Sequence, residues 1–403
     1  MKTVLKIFVA ATVLTGTMTQ CDSLSPEPGK GIDISLDTKF ADATGTFAFD
    51  FLKTLENEEK DKNFFVSPLS LHIALGMLLN GSDGSSEEQI IKTLKLEGID
   101  RNIINNSYNN LIENLANVDP KVKNLLANSV WQREGFPVEQ SFTNYMKETF
   151  KAGVYQEPFD AGTLKKINQW ANDNTNGKIK EVLDNIDGNM VMFLINALYF
   201  KGDWAQQFDK KYTEKLNFST GGQVDMMSQT HVYPYVQMQG YKALDMPYGD
   251  GNYLMRILLP DDGDVHSLIN TLDLSAWKSI SEKQQPVKVD LKLPKFKMEY
   301  DKNLNATLSA MGMPIVFTSL ADLSKISPPA GKIQVAFVKQ NAFIETDEKG
   351  SEAAAVTTIG AGVTSAGPSS NVRFFCNKPF VFIIYEKSSG TIQFAGKLIK
   401  PAV

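Results

Sequence analysis

Few residues in this chain could carry chemistry. There are three histidines, His72, His231 and His266, and two cysteines, Cys21 and Cys376. A metal centre needs such groups at set spacings, two histidines on one helical face for example, and none of the three stands in such a pattern. His72 lies in the apolar stretch "SPLSLHIALGMLLNG" and reads as a core histidine. Cys376 follows two phenylalanines and reads as a buried, inert thiol, because a reactive thiolate needs an exposed, electropositive setting. Asp261 and Asp262 follow Pro260 and read as a solvated turn, not paired catalytic carboxylates. No nucleophile elbow, phosphate-binding loop or dinucleotide fingerprint occurs. What remains is the stretch "EKGSEAAAVTTIGAGVTSAGPSS", Glu348 to Ser370, with almost no charge and no aromatic ring. A segment of that length inside a compact domain is uncommon, and is usually functional or disordered.

The elements around it form a large core. Of 403 residues 42% are hydrophobic and 22% charged, the balance of a globular chain. Length alone favours two or three domains, yet no linker or repeat interrupts the chain after about residue 38, so one domain over 39–403 is expected. The net charge of -5 comes from interspersed signs, with no basic stripe to follow a phosphate backbone, so nucleic acid is not an expected partner. Phe47, Phe51, Leu52 and Leu55 recur at helical spacing. Ser67 and Pro68 suit the start of a buried helix, and Asn80-Gly81 its end. Ser85 and Ser86, with Glu88 and Gln89 three residues on, offer a capping box for the next helix. Val287, Val289, Leu291 and Leu293 alternate with polar residues as a half-buried strand does, and "NKPFVFIIYEKSSGTIQFAGKLI" reads as a hairpin. Helices crowd the first half and strands the second, which predicts an α+β fold with mainly antiparallel sheets.

The amino terminus differs in kind. In "MKTVLKIFVAATVLTGTMTQC" Lys2 and Lys6 flank the start of an apolar run too short to span a bilayer. Residues 1–20 are expected to be a signal peptide of lipoprotein type, with Cys21 as the lipidated first mature residue and 21–38 as a flexible tether. Ordinary secretion with nearby cleavage is the alternative, because Thr19-Gln20 is not the usual small pair. Lipidation at Cys21 leaves Cys376 without a disulfide partner, so the core must supply the stability.

Eight stretches, in order, carry a likeness to one family: "FAFDFLKTL", "NFFVSPLSLHIALGML", "INQWANDNTNGKI", "LINALYFKGDW", "DMPYGDGNYLMRILLPDD", "LKLPKF", "FIETDEKGSEAAA" and "NKPFVFIIYEKSSGTIQFAGKLIKP". Together they resemble the serpins, a family of protease inhibitors. The resemblance implies three β-sheets surrounded by eight or nine helices, with an exposed reactive-centre loop over about 348–371. It implies a monomer that needs no cofactor, an inhibitor and not an enzyme. A protease cleaves the loop and is held as an acyl-enzyme while the loop inserts into the main sheet. A serpin-fold binding or surface protein that traps no protease is the alternative.

The loop residues meet the physical demands of insertion. An inserted strand places alternate side chains under a packed sheet, where small or apolar groups cost little to desolvate. Ser351, Ala353, Ala355, Thr357 and Ile359 form one such set, and Glu352 falls in the other. The hinge implied by the family is Gly350, Ser351, Glu352, Ala353, Ala354, Ala355, Val356 and Thr357, with no proline to interrupt a ladder. About 14 residues at ~3.3 Å each reach about 45 Å, far enough to carry a tethered protease across a domain. By family matching, Glu348, Lys295 and Trp204 belong to the breach at the top of the sheet. Ser67, Ser70, Asn196 and Gln340 belong to the shutter, where Gln340 replaces a frequent histidine. Counting from Glu348 puts the scissile bond at Thr364-Ser365, with Val363-Thr364 as a rival. These small residues point to elastase-like or subtilisin-like serine proteases, cysteine proteases being a further possibility, and away from trypsin-like enzymes that need a cation. Such an inhibitor is expected to be secreted or held at a bacterial outer membrane by its lipid.

Overall fold

Helix formation follows the caps and the apolar periodicity. In the computed structural model, which describes residues 31–327, 333–351 and 371–401, the first helix runs over Thr38–Glu58 and buries Phe47, Phe51, Leu52 and Leu55. The packed body begins earlier than the expected tether boundary: Ile34 is buried, and the Ile32 N–H donates to the Asn117 carbonyl at 3.4 Å. An apolar side chain followed by the N-cap Asp37 anchors this stretch to the body. Residues 1–30, including Cys21, lie outside the described residues.

The second helix, Pro68–Leu79, is buried on nearly every side because it has almost no polar face. The Ser67 side chain accepts from the Ser70 N–H at 3.2 Å, and Pro68 occupies the first turn. The next helix, Gly84–Thr93, does not use the capping box expected at Ser85 and Ser86. Asp83 is its N-cap, accepting from Gly84 N–H at 3.0 Å, and Ser86 instead accepts from the Asp322 N–H at 2.8 Å. Gly84 at φ +50 makes this start possible. Nine α-helices are present among the described residues.

Fifteen strands form two hydrogen-bonded ladders among the described residues. The nine-stranded ladder contains two of the three sheets expected. Strand Gly222–Met238 pairs with Gln285–Pro294 along its middle and with Tyr241–Tyr248 at its end, and so runs from one sheet into the other. Its core is the C-terminal hairpin Phe380–Glu386 with Ile392–Leu398, buried throughout. The six-stranded sheet has the order Phe296–Asn303, Lys339–Thr346, Gly350–Ser351, Met192–Asp203, Val122–Arg133, Gly153–Glu157. Helix Pro68–Leu79 packs under this sheet, and helix Ala161–Asn174 covers its other face through a separate apolar cluster that includes Trp131, Ile167, Leu183 and Phe193.

His72 is wholly buried, as its apolar surroundings predict. Its Nε2 faces the Leu94 carbonyl at 3.2 Å, and the Tyr108 hydroxyl donates to Nδ1 at 2.8 Å, which fits the neutral ring protonated at Nε2. Burial pushes its pKa down from 6.5 to about 4, against the Leu94 carbonyl, which pulls it up. The unfolded chain therefore binds the extra proton first as pH falls. Stability from this group is full above pH 6.5 and is lost as pH falls toward 4, by roughly 3 kcal/mol. Denaturant titrations of wild type and His72→Gln across that window should differ in slope, and equal slopes would refute the assignment.

Candidate functional site

The site is built where the six-stranded sheet meets the start of the bland segment. Strand Lys339–Thr346 turns back at Asp347 to Lys349, and Gly350–Ser351 enters as a two-residue strand between Lys339–Thr346 and Met192–Asp203. Gly350 stands opposite Asp203, and Ser351 opposite both Gly202 and Thr346. The approach is close enough to demand glycine: a Cβ on Gly350 would lie 2.1 Å from the Gly202 oxygen. Ser351 faces inward and is buried, with its hydroxyl 2.6 Å from the Tyr248 hydroxyl and 3.3 Å from that of Thr346.

Glu348, Lys295 and Trp204 come together at this entry. The Lys295 ammonium donates to Glu348 at 3.0 Å, and the Thr213 hydroxyl donates to its other oxygen at 2.9 Å. Burial raises the Glu348 pKa, but its own N–H, Lys295 and Thr213 outweigh that and leave the carboxyl below its ordinary range. Trp204 donates its backbone N–H to Lys349 O at 2.7 Å and its indole N–H to Asp347 O at 3.0 Å, and its ring stacks on Tyr248 at 4.3 Å. Tyr248, Gly202, Thr213 and Phe208, whose N–H donates to Glu348 O at 2.9 Å, complete the arrangement. Sequence reasoning assigned these four no role. Their partners lie over a hundred residues away, and no local spacing marks them.

Below the entry, one helix end holds both flanking strands. Gln340 on Lys339–Thr346 accepts from the Ser67 N–H at 3.1 Å and donates to the Ser67 carbonyl at 2.9 Å. On the other side the Ser70 hydroxyl donates to Asn196, which donates onward to Asn128 at 2.7 Å. Ser67, Ser70, Asn196 and Gln340 thus form one network, and a cavity of about 740 Å³ lies beside it, lined by both strands, the helix Pro68–Leu79 and residues 175–192. Gln340 satisfies a donor and an acceptor without titrating. Gln340→His should make this contact pH-sensitive: relative to wild type, the variant should lose roughly 1 kcal/mol as pH falls through about 6.5. Thermal midpoints of both proteins from pH 7.5 to 5 test this, and parallel curves would refute it. Glu352, Ala353, Ala354, Ala355, Val356, Thr357, Val363, Thr364 and Ser365 lie outside the described residues.

A family model described as "Serpin (serine protease inhibitor)" matches residues 42–401. The chain belongs to the serpin family. Among the relatives of this serpin, human Serpin B3 is 30% identical, over 90% of this chain and 99% of that protein. The leukocyte elastase inhibitor of Xenopus laevis is 32% identical, over 88% and 97%. Among solved structures, the thermophilic serpin tengpin in its native state superposes with a TM-score of 0.82 at 30% identity, covering 92% and 97%. Human thyroxine-binding globulin, solved with its hormone, gives 0.82 at 27% identity, covering 91% and 99%. The fold is therefore the serpin fold, and the family includes proteins named for inhibiting proteases and one named for carrying a hormone.

Proposed function

We propose that this serpin is a suicide inhibitor of serine endopeptidases that cut after small residues, of elastase or subtilisin type. The observation that carries the proposal is the two-residue strand Gly350–Ser351, seated between two strands of the main sheet with Ser351 facing inward. Side chains alternate along a strand, so Ala353, Ala355, Thr357 and Ile359 would follow Ser351 into the interior once the chain is cut and free to advance. Carried on at the same register, Thr357 would arrive level with both Asn196 and Gln340. Two new ladders, each bond contributing about 0.5–1.5 kcal/mol, make that advance favourable in sum, and the uncut protein is held short of it kinetically.

Before cleavage the protein's task is to present Val363 to Ser365 to a protease while Glu348, Lys295 and Trp204 hold the loop base. After attack, Thr364 would remain as the acyl group on the protease serine, and insertion would draw the protease across the sheet before water completes the hydrolysis. Cys21 would anchor the inhibitor by lipid to a bacterial outer membrane, facing outside proteases. The likeness to thyroxine-binding globulin supports the second reading, a serpin-fold binding protein that traps nothing.

One experiment separates them. Mixed with elastase or subtilisin, the purified protein should give an SDS-stable covalent complex, and loop cleavage should raise its thermal midpoint strongly. Cleavage with neither outcome refutes the inhibitor reading. The mass of the released peptide fixes the scissile bond, and membrane retention lost on Cys21→Ala tests the anchor.

A further inference from the structure

Residues 175–190 form a strap that follows the helix Ala161–Asn174 and lines the cavity beside the two flanking strands with Ile179, Val182 and Leu183. One helical side chain binds it three times. Asn168 donates to the Leu183 carbonyl at 2.9 Å and accepts from the Val182 and Leu183 N–H groups at 2.9 and 3.0 Å. At its far end Arg133 donates to the Met190 carbonyl at 2.9 Å. The strap is thereby tied to the helix and to strand Val122–Arg133, on one side of the position that Gly350–Ser351 occupies.

On the other side stands Lys339, the first residue of strand Lys339–Thr346, largely buried at 15% exposure. Its ammonium is 3.1 Å from Asp184 of the strap and 3.0 Å from Asp301 of the edge strand Phe296–Asn303. The two carboxylates are not equivalent. Asp301 sits on the same side as Lys339, whereas Asp184 reaches it from the strap across the line along which an entering strand would advance. Gln340 faces the helix Pro68–Leu79, so its neighbour Lys339 faces the strap by alternation.

We infer that the Lys339–Asp184 ion pair is a latch that slows strand insertion, with Lys339 a positioning residue for it. This rests on the insertion proposed above. A strand entering between Met192–Asp203 and Lys339–Thr346 has to pass beneath the strap, and the strap lifts only when the pair opens. The pair thus acts on the rate of insertion more than on the stability of the final state. Asp301 keeps Lys339 charged and oriented without crossing the line.

The test is the limiting rate of the tryptophan-fluorescence change when the full-length protein meets saturating elastase, with Trp204 beside the entry and Trp170 on the covering helix as reporters. Because the Asp184 side chain is 78% exposed, water weakens the pair, and Asp184→Asn should accelerate that step by only about two- to fivefold. Asp301→Asn should leave it within error of wild type, and Lys339→Arg should retain the slow rate. Added salt should speed wild type toward Asp184→Asn and change that variant less. Equal rates for wild type and Asp184→Asn, or equal acceleration by Asp301→Asn, overturn the latch while leaving the inhibitor reading intact. A wild type that gives neither a fluorescence step nor a covalent complex refutes both.

Discussion

Ser351→Arg is expected to turn the protein from an inhibitor into an ordinary substrate of the same protease. Ser351 is buried against the Tyr248 and Thr346 hydroxyls, in a space bounded by Gly202 and the stacked Trp204 and Tyr248 rings. The groups that the Ser351 side chain touches are neutral hydroxyls, so a guanidinium placed among them is unpaired, and an unpaired buried charge costs several kcal/mol. The folded body can escape that cost, because Gly350–Ser351 is only two residues long and can be drawn out of the sheet. Insertion cannot escape it, since the inserted strand must begin at this position. A barrier higher by about 3 kcal/mol slows the insertion step by somewhat over a hundredfold, which lets hydrolysis of the acyl-enzyme overtake it. The expected result with elastase is full cleavage, no SDS-stable complex and no gain in thermal midpoint. Ser351→Thr, which keeps the hydroxyl, should still form the complex. A covalent complex from Ser351→Arg at the wild-type stoichiometry would disprove the role given to this position.

The contrast between Glu348 and Ser351 shows what a linear sequence can reveal about such a site. Glu348, Lys295 and Trp204 stand in stretches that match family motifs, and the fold brings them within hydrogen-bond reach of one another or of the same turn. Ser351 could be placed by parity alone, because alternation along a strand fixes which side chains share a face. Its seat could not be read: Tyr248 is 103 residues distant, and nothing around "MPYGDG" marks a tyrosine hydroxyl that will meet a serine. Local rules also give rival answers that only packing decides. The helix after Asn80 offered Ser85 and Ser86 as caps, yet Gly84 adopts φ +50, Asp83 takes the cap, and Ser86 is spent on a tertiary contact. Three sheets became two ladders for a similar reason. Hydrogen bonding follows the unbroken strand Gly222–Met238, which continues through Pro234 where its pairing passes from Gln285–Pro294 to Tyr241–Tyr248.

Arg256→Ala should produce a large loss of stability, and for a reason independent of the loop. Arg256 and Asp245 face each other across adjacent strands and are both almost wholly buried. The guanidinium donates to both Asp245 oxygens at 2.7 and 2.8 Å, to the Trp277 carbonyl at 3.3 Å, to Ser281 at 3.0 Å and to Gln284 at 3.1 Å. It also lies over the Trp277 ring at 4.1 Å, and the Tyr385 hydroxyl donates to Asp245 at 2.8 Å. One side chain thus joins the helix Leu274–Lys283 to two strands of the nine-stranded ladder. Burial opposes the charge on Arg256, but Asp245 and Tyr385 outweigh it and hold the pKa above its ordinary value, so mild base does not release the pair. Removing the cation leaves Asp245 buried with only Tyr385 as a neutral donor, which is expected to cost about 3–5 kcal/mol. Guanidinium unfolding of Arg256→Ala should show that loss, and the paired change Arg256→Met with Asp245→Leu should recover most of it, because no orphaned charge remains. At temperatures where Arg256→Ala stays folded, its stoichiometry of inhibition should equal that of wild type, since no group in this cluster touches the entry at Gly350–Ser351. A loss below about 1 kcal/mol for the single change would mean that water already reaches Asp245 in the folded protein.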